Sequence, residues 1–190
     1  MEMEKQYEIL DALPTYGPMH ISITDNEQPF YSEGFPVRLY KTDGTNWVAN
    51  FKPGWTDLRK VIELENTQNL LVISGGTCYL MNPNHTQPIL AFGTDYNNIF
   101  EASNNRLVLQ DLTGLTIIEP DGAHWDTERI SWDGLKDLKV ESNIVSGLAF
   151  DPIHDDDEWA PFSYNLDTRT WTGGSYNNYA HTKPWWKLWK

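Results

Sequence analysis

Short apolar runs, each closed by turn residues, recur along most of the chain. The clearest stretch is 105–143. Its apolar or alternating segments are 106–110, 115–118, 125–132 and 135–141. Asp-Gly pairs, which tolerate the backbone conformations that tight turns need, follow the second and third of these segments. Strand-length runs with such turns predict an antiparallel β-meander.

Weaker copies of this pattern lie on both sides of it. An Asp or Asn occupies the same place after an apolar strand in four turns, at Asp43, Asn84, Asp121 and Asp167. A spacing of roughly 40 residues with four strands is typical of a propeller blade. The pattern therefore predicts an all-β fold of about four four-stranded, propeller-like repeats. Two packed sheets, a β-sandwich, are the alternative.

The two ends of the chain carry different patterns. Met3, Tyr7, Leu10 and Leu13 form an apolar stripe at helical spacing, which predicts a short N-terminal helix ending before Pro14. The predicted organisation is therefore a helix and linker over 1–16, one all-β domain over 17–179 and a tail over 180–190. The alternating segment 19–24 predicts a strand, and in a closed ring it would pair with the last repeat.

Charge and composition exclude several classes of function. The net charge is −13, from 27 acidic and 14 basic residues, so nucleic acid is an unfavourable partner and a basic protein a favourable one. No apolar run approaches the roughly 18 residues that a membrane span needs. The acidic N-terminus lacks the apolar core of a signal peptide, and the single cysteine, Cys78, has no partner for an internal disulfide. These features predict a cytoplasmic protein of undetermined oligomeric state.

Several segments resemble a family of small, uncharacterised soluble bacterial proteins. They are 34–58 (GFPVRLYKTDGTNWVANFKPGWTDL), 69–76 (NLLVISGG), 129–135 (RISWDGL) and 143–159 together with 173–176. The resemblance extends from about Leu13 to Tyr176. It implies a separate bacterial protein with propeller-like repeats and brings no activity, cofactor or catalytic residue with it.

No established catalytic motif is present in the sequence. Walker, GxGxxG, GxSxG, HExxH and CxxC patterns are all absent, and the five histidines are scattered. Cys78 has no recognisable histidine partner and is interpreted as a packing residue. A hydrolase that uses two carboxylates across a cleft stays open as an alternative, although the sequence selects no catalytic pair.

The segment 151–158 is rich in carboxylates. Its candidate metal ligands are Asp151, Asp155, Asp156, Asp157 and Glu158. A flexible loop with this many oxygens suits Ca²⁺, which takes six to eight oxygen ligands. The same composition fits a solvated surface loop, and on that interpretation the segment is dispensable for folding.

Tryptophan is unusually frequent, with nine residues in the chain. Trp47, Trp125 and Trp171 each follow a turn Asp by four positions, which favours packing between repeats. The alternative is an aromatic platform for sugars or for side chains of a partner protein. On that interpretation the candidate binding residues are Trp47, Trp55, Trp125, Trp132 and Trp159.

Three classes of function follow from the sequence. The first is a non-catalytic protein-interaction module, with an acidic immunity-type protein as one form. The second is a carbohydrate or small-ligand binding protein that uses tryptophan, and the third is the carboxylate hydrolase. The tail segment 183–190 (KPWWKLWK) is predicted to pack on the domain, with a partner or membrane interface as its alternative.

Overall fold

The structure, a computed structural model, describes residues 5–25, 28, 30–65, 67–152 and 158–176. Within these ranges the chain forms sixteen β-strands and one 3₁₀ turn, Ser103–Asn105, but no α-helix. The predicted all-β class is therefore confirmed. The strands form four sheets of four strands each, rather than the two sheets that a sandwich requires. No helix in the described part of the chain is long and apolar enough to cross a membrane.

The chain divides into two compact units. The first comprises Met1–Asn98 and Pro120–Ala123, and it holds sheets 1 and 2. Sheet 1 has the order β1 (Tyr7–Ile9), β3 (Phe35–Tyr40), β4 (Asn46–Phe51), β2 (Ile21–Ile23). Sheet 2 has the order β5 (Arg59–Glu63), β6 (Leu70–Ser74), β7 (Thr77–Met81), β8 (Leu90–Phe92).

The second unit comprises Ile99–Glu119 and His124–Lys190, and it holds sheets 3 and 4. Sheet 3 consists of β9 (Asn98–Glu101), β10 (Leu107–Gln110), β11 (Leu115–Ile118) and β12 (His124–Asp126). Sheet 4 consists of β13 (Leu135–Glu141), β14 (Ile144–Asp151), β15 (Glu158–Asn165) and β16 (Thr170–Gly173). Sheets 2, 3 and 4 are meanders in which consecutive strands pair, as in a propeller blade.

The four Asp/Asn turns occupy equivalent places in the four sheets. Asp43 lies between β3 and β4, Asn84 between β7 and β8, Asp121 between β11 and β12, and Asp167 between β15 and β16. The sheet boundaries differ from the predicted ones, because 105–143 contributes its last strand, β13, to sheet 4. Sheet 3 begins instead at β9.

The predicted N-terminal helix is wrong. Tyr7–Ile9 forms β1, which pairs antiparallel with β3 from Tyr7↔Leu39 to Ile9↔Val37. A helix of this length is marginal in water, whereas a strand at this edge satisfies backbone groups of β3. Tyr7 also packs against the buried cluster of the first unit, and its hydroxyl donates to Val61 O at 3.2 Å.

The predicted strand within 19–24 exists, but its expected partner is wrong. β2 pairs in parallel with β4 of sheet 1, with Ile21 opposite Ala49 and Ile23 opposite Phe51, and not with the last repeat. Ile23 is 2% exposed and belongs to the core of the first unit. Burial of this side chain thus accounts for the local pairing.

Each unit has its own hydrophobic core. In the first unit, buried side chains from sheets 1 and 2 meet around Phe51 and Tyr79, whose ring centroids are 5.3 Å apart. In the second unit, sheets 3 and 4 pack through Val108, Ile117 and Phe162 among others. Neither unit could bury these faces with one sheet alone, so pairs of sheets form the stable elements.

The Glu8 carboxylate stabilises the pairing of β1 with β3, and its contribution is expected to depend on pH. Oε2 accepts from the Tyr40 hydroxyl at 3.0 Å and from Arg38 Nη1 at 2.6 Å, which holds the pKa of Glu8 below its usual range. A lowered folded-state pKa contributes stability above the unfolded value, and this stability is lost as pH falls through the folded value. Glu8→Gln should therefore lower Tm by a few degrees at pH 7 and by less at pH 3. The exposed Glu128→Gln is the control, and an equal difference at both pH values would contradict the assignment.

Candidate functional site

Three connections meet at one end of sheets 1 and 2, within the first unit. They are the Trp55 loop (residues 52–58, between β4 and β5), the turn Gly75-Gly76, and residues 93–97 after β8. Backbone hydrogen bonds join all three. Gly54 N donates to Ser74 O at 2.9 Å, Thr56 N to Gly75 O at 2.9 Å, and Trp55 N to Thr94 O at 2.8 Å.

Side chains and glycines close the space beneath this loop. Thr56 Oγ1 donates to Tyr96 O at 2.7 Å. A Cβ on Gly54 would lie 2.2 Å from Thr94 O and 2.6 Å from Gly75 O, so no side chain fits there. Gly75 and Gly76 have φ of 57° and 85°, a region in which glycine carries no Cβ penalty. The Trp55 loop is therefore fixed from below by backbone contacts.

Trp55 projects outward from this fixed loop. Its side chain is 85% exposed, whereas the other five tryptophans in the described ranges are half-buried. Burying an exposed indole removes a large apolar area from water, and a fixed backbone reduces the entropy lost on binding. The loop therefore has the properties of a pre-organised anchor for a binding partner.

Trp47 and Trp125, two of the predicted binding residues, have structural roles. Trp47 Nε1 donates to Pro83 O at 2.8 Å, which joins sheet 1 to a turn of sheet 2. In the second unit, Trp125 Nε1 donates to Glu119 Oε1 at 3.0 Å, and the Arg169 guanidinium lies 4.2 Å from its ring centroid. Both residues pack between neighbouring sheets.

Trp132 and Trp159, also predicted binding residues, lie in the second unit beside cationic side chains. Lys136 Nζ is 3.8 Å from the centroid of Trp159, whose ring also packs 5.1 Å from that of Phe150. Arg129 lies 5.6 Å from the Trp132 ring, which makes an edge contact with Tyr176 at 4.7 Å. These cation–π contacts occupy ring faces that a sugar would need.

The predicted calcium ligands fall largely outside the described residues. Asp155, Asp156 and Asp157 lie in the part that the structure does not describe. Asp151 and Glu158 are opposite each other at the ends of β14 and β15, and Asp151 is 4% exposed. Among the described residues, no three His, Cys, Asp or Glu side chains come together as metal ligands. The calcium site therefore stays a prediction.

The thiol of Cys78 is fully buried in β7, and burial raises its pKa far above the usual range. Since the thiolate is the reactive form, we expect the native protein to resist alkylation. Iodoacetamide labelling at pH 8 should be at least about a thousandfold slower than in denaturant, because it requires unfolding. Mass spectrometry measures both rates, and rapid stoichiometric labelling of the folded protein would contradict the packing role.

A groove of about 640 Å³ with a mixed polar and apolar lining lies elsewhere in the first unit. Lys5, Gln6, Tyr40, Lys41, Thr42, Gly44, Glu63, Gln68, Pro83 and Asn84 line it. Its volume is in the range of small-ligand sites. Its charged lining residues are Lys5, Lys41 and Glu63, and no tryptophan is among the lining residues.

The sequence pattern places Trp55 among five candidate binding tryptophans and does not distinguish it from the other four. The residues that fix it, Gly54, Thr94 and Tyr96, were missed because they are distant in sequence or have no reactive group. One signal was available. Trp55 follows Pro53-Gly54 in a loop, whereas Trp47 and Trp125 follow the recurring turn Asp by four positions.

Comparisons with known proteins identify no family for this chain. No family model and no curated protein matches its sequence. Among solved structures, it is similar to the crystal structure of the tricorn protease, with a TM-score of 0.40 and 13% identity. The match covers 91% of this chain and 18% of that one, so the chain spans less than a fifth of the protease. A similarity of this size assigns neither fold nor activity.

Proposed function

We propose that the protein is a non-catalytic interaction module and that Trp55 anchors a partner protein. The observation that carries this proposal is an indole 85% exposed on a loop that backbone hydrogen bonds fix in place. Tryptophan is enriched among the residues that dominate binding energy at protein interfaces. A fixed loop also has little conformational freedom left to lose when the partner binds.

The charge of the protein favours a basic partner. The net charge is −13. Asp57 is exposed in the Trp55 loop itself, and Asp95 is exposed in the segment 93–97 that contacts this loop. Opposite charges increase the rate of encounter and disfavour acidic competitors. An immunity-type protein that neutralises a basic toxin has this character, and it is the specific form of the proposal.

The Trp55 anchor can be tested by capture from the cytosol of the source cells, followed by calorimetry on the purified pair. Trp55→Ala should weaken binding at least about thirtyfold, as expected for an interface anchor. Its Tm should remain within a degree or two of the parent. Tyr31→Ala removes another aromatic of the first unit that is 91% exposed, and it is expected to bind normally. Equal affinities for the parent and Trp55→Ala would refute the proposal.

The role of charge has a separate test. Asp57→Lys with Asp95→Lys should reduce the association rate severalfold at low salt and much less at high salt. A matched double variant, Asp133→Lys with Glu141→Lys, makes the same charge change at exposed positions of the second unit. The same loss of rate in both variants would show that only net charge matters. No loss in either would exclude electrostatic steering by a basic partner.

Binding of carbohydrate or another small ligand is the second candidate, and the same exposed indole favours it. Trp132 and Trp159 do not add to a sugar platform, because Arg129 and Lys136 lie against their rings. A glycan array probed with the parent and with Trp55→Ala distinguishes the candidates. Saturable, Trp55-dependent binding to one glycan class would favour this function over a protein partner.

A further inference from the structure

Sheet 1 differs from the other three sheets at one position. In sheets 2, 3 and 4 the first strand of the meander covers the outer edge of the second strand. These first strands are β5, β9 and β13. In sheet 1, β1 occupies the place of the second strand, because it pairs with the strand that precedes the recurring turn. Among the described strands, β1 is at the edge of the sheet, and none covers its outer side. Parallel β2 brings the number of strands to four, but it is added at the opposite edge, next to β4.

The backbone of β1 is oriented to accept another strand. Gln6 O accepts from Tyr40 N at 3.0 Å, and Leu10 N donates to Pro36 O at 3.0 Å. Hydrogen-bonding direction alternates along an antiparallel strand, so the backbone groups of Tyr7 and Ile9 point away from β3. Ile9 is also 50% exposed, which leaves an apolar side chain at this edge.

The strands that fill this position in the other sheets show what fits. β5 (RKVIE), β9 (NIFE) and β13 (LKDLKVE) are short and contain polar and apolar residues. Each ends in glutamate, but in β13 the register position that corresponds to Glu63 holds Val140. In sheet 2, Glu63 lies opposite Leu70. Leu70 corresponds to Gln6 of β1, since Leu70 pairs with Met81 and Gln6 with Tyr40, which both lie three residues before the recurring turn Asp or Asn.

The chemistry near Gln6 suits a carboxylate. Lys5 has a side chain that is 64% exposed, and its ammonium is 3.8 Å from Glu8. Arg38 also pairs with Glu8, and Lys41 and Glu63 line the same groove as Lys5 and Gln6, so three cations face two carboxylates here. Two copies of β1 paired together would bring these like charges together, which is unfavourable.

We propose that the edge of β1 that no strand of the described residues covers receives an antiparallel strand from a partner protein. This strand is four or five residues long and ends in Asp or Glu, with that residue opposite Gln6 and its carboxylate beside the Lys5 ammonium. Backbone hydrogen bonds to Tyr7 and Ile9 supply affinity, and the acidic end supplies register. The surface is distinct from the Trp55 loop, so this proposal can be tested independently of the proposed function.

The probe is a synthetic peptide with the sequence LRKVIELE, which copies residues 58–65, added to the full-length protein labelled with ¹⁵N. We expect saturable shifts of the Tyr7 and Ile9 amides at millimolar peptide and slower hydrogen exchange at both. A peptide with lysine in place of the glutamate that copies Glu63 should bind about fivefold more weakly, the upper range for one exposed ion pair. Lys5→Glu should weaken binding of the parent peptide similarly.

Ile9→Pro provides the backbone test, because it removes one outward N–H that β3 does not use. Proline is tolerated at such edge positions, so Tm should change by only a few degrees while peptide binding is lost. Ile9→Val is the matched control and should bind normally. No saturable shift, or equal affinity for both peptides, would overturn the proposal. Amides already protected in the free monomer, or protected only as protein concentration rises, would equally overturn it.

Discussion

Gly54→Ala is expected to destabilise the protein by roughly 3 kcal/mol or more, the upper range for forcing atoms into a packed site. The added Cβ would lie 2.2 Å from Thr94 O and 2.6 Å from both Gly75 O and Thr77 Oγ1. Two of these atoms belong to backbone that is already hydrogen-bonded to the Trp55 loop. Relief therefore requires the loop to move away from its support, and partner capture through Trp55 should weaken too.

Gly44→Ala is the matched control. Gly44 lies in an open turn with φ of 82°, and a Cβ there would meet no atom within 4 Å. Its cost is limited to backbone strain, about 1 kcal/mol. Chemical denaturation of both variants measures the difference, and a Gly54→Ala protein as stable as Gly44→Ala would show that the loop is not tightly supported.

Asn50→Leu is expected to cost about 2 kcal/mol, because the buried Gly34 N–H would lose its partner and the Ser32 carbonyl would lose a partly buried hydrogen bond. Asn50 is fully buried in β4. Its Oδ1 accepts from Gly34 N at 2.8 Å, and its Nδ2 donates to Ser32 O at 2.9 Å. Leucine has a similar volume but can satisfy neither group, so the segment that precedes β3 would lose its attachment to β4.

Asn46→Leu is the control for this prediction. Asn46 is exposed at the start of the same strand, so its replacement changes hydrophobicity without removing a buried hydrogen bond. Its stability should remain within about 0.5 kcal/mol of the parent. If the midpoints of urea denaturation for the two variants coincide, Asn50 does not have the role assigned to it.

Local turn chemistry is the part of the fold that the sequence predicts well. Asp43 shows the reason, since its Oδ1 accepts from the Thr45 backbone N–H at 2.8 Å. Asp121 accepts in the same way from Ala123 N at 2.9 Å. These contacts lie within two residues and need no tertiary structure, so the turns follow from the residues alone.

The N-terminal strands could not be predicted in the same way. Tyr7, Leu10 and Leu13 satisfy a helical period, and a three-residue strand is too short to reveal alternation. The choice depends on Leu39 and Val37, which lie opposite β1 and are distant in sequence. The parallel pairing of β2 with β4 likewise depends on the core position available to Ile23.

The importance of Trp55 also depends on tertiary structure. Trp47 lies in β4 and Trp55 in the loop that follows it. The indole N–H of Trp47 donates to Pro83 O, whereas Trp55 is 85% exposed. The two tryptophans differ because a turn of sheet 2 packs against Trp47. Composition and spacing along the sequence do not reveal this packing. The sequence therefore offers tryptophan as a candidate for binding but does not distinguish the exposed residue from the packed ones.

Site-specific photo-crosslinking tests the binding role of Trp55 most directly. Benzoylphenylalanine is placed at position 55 in one protein and at position 16 in another, because Tyr16 is 92% exposed in the same unit. Both are irradiated in the cytosol of the source cells, and covalent adducts are identified by mass spectrometry. The account predicts one dominant partner adduct from position 55 and none from position 16. Adducts from position 16 without any from position 55 would contradict it.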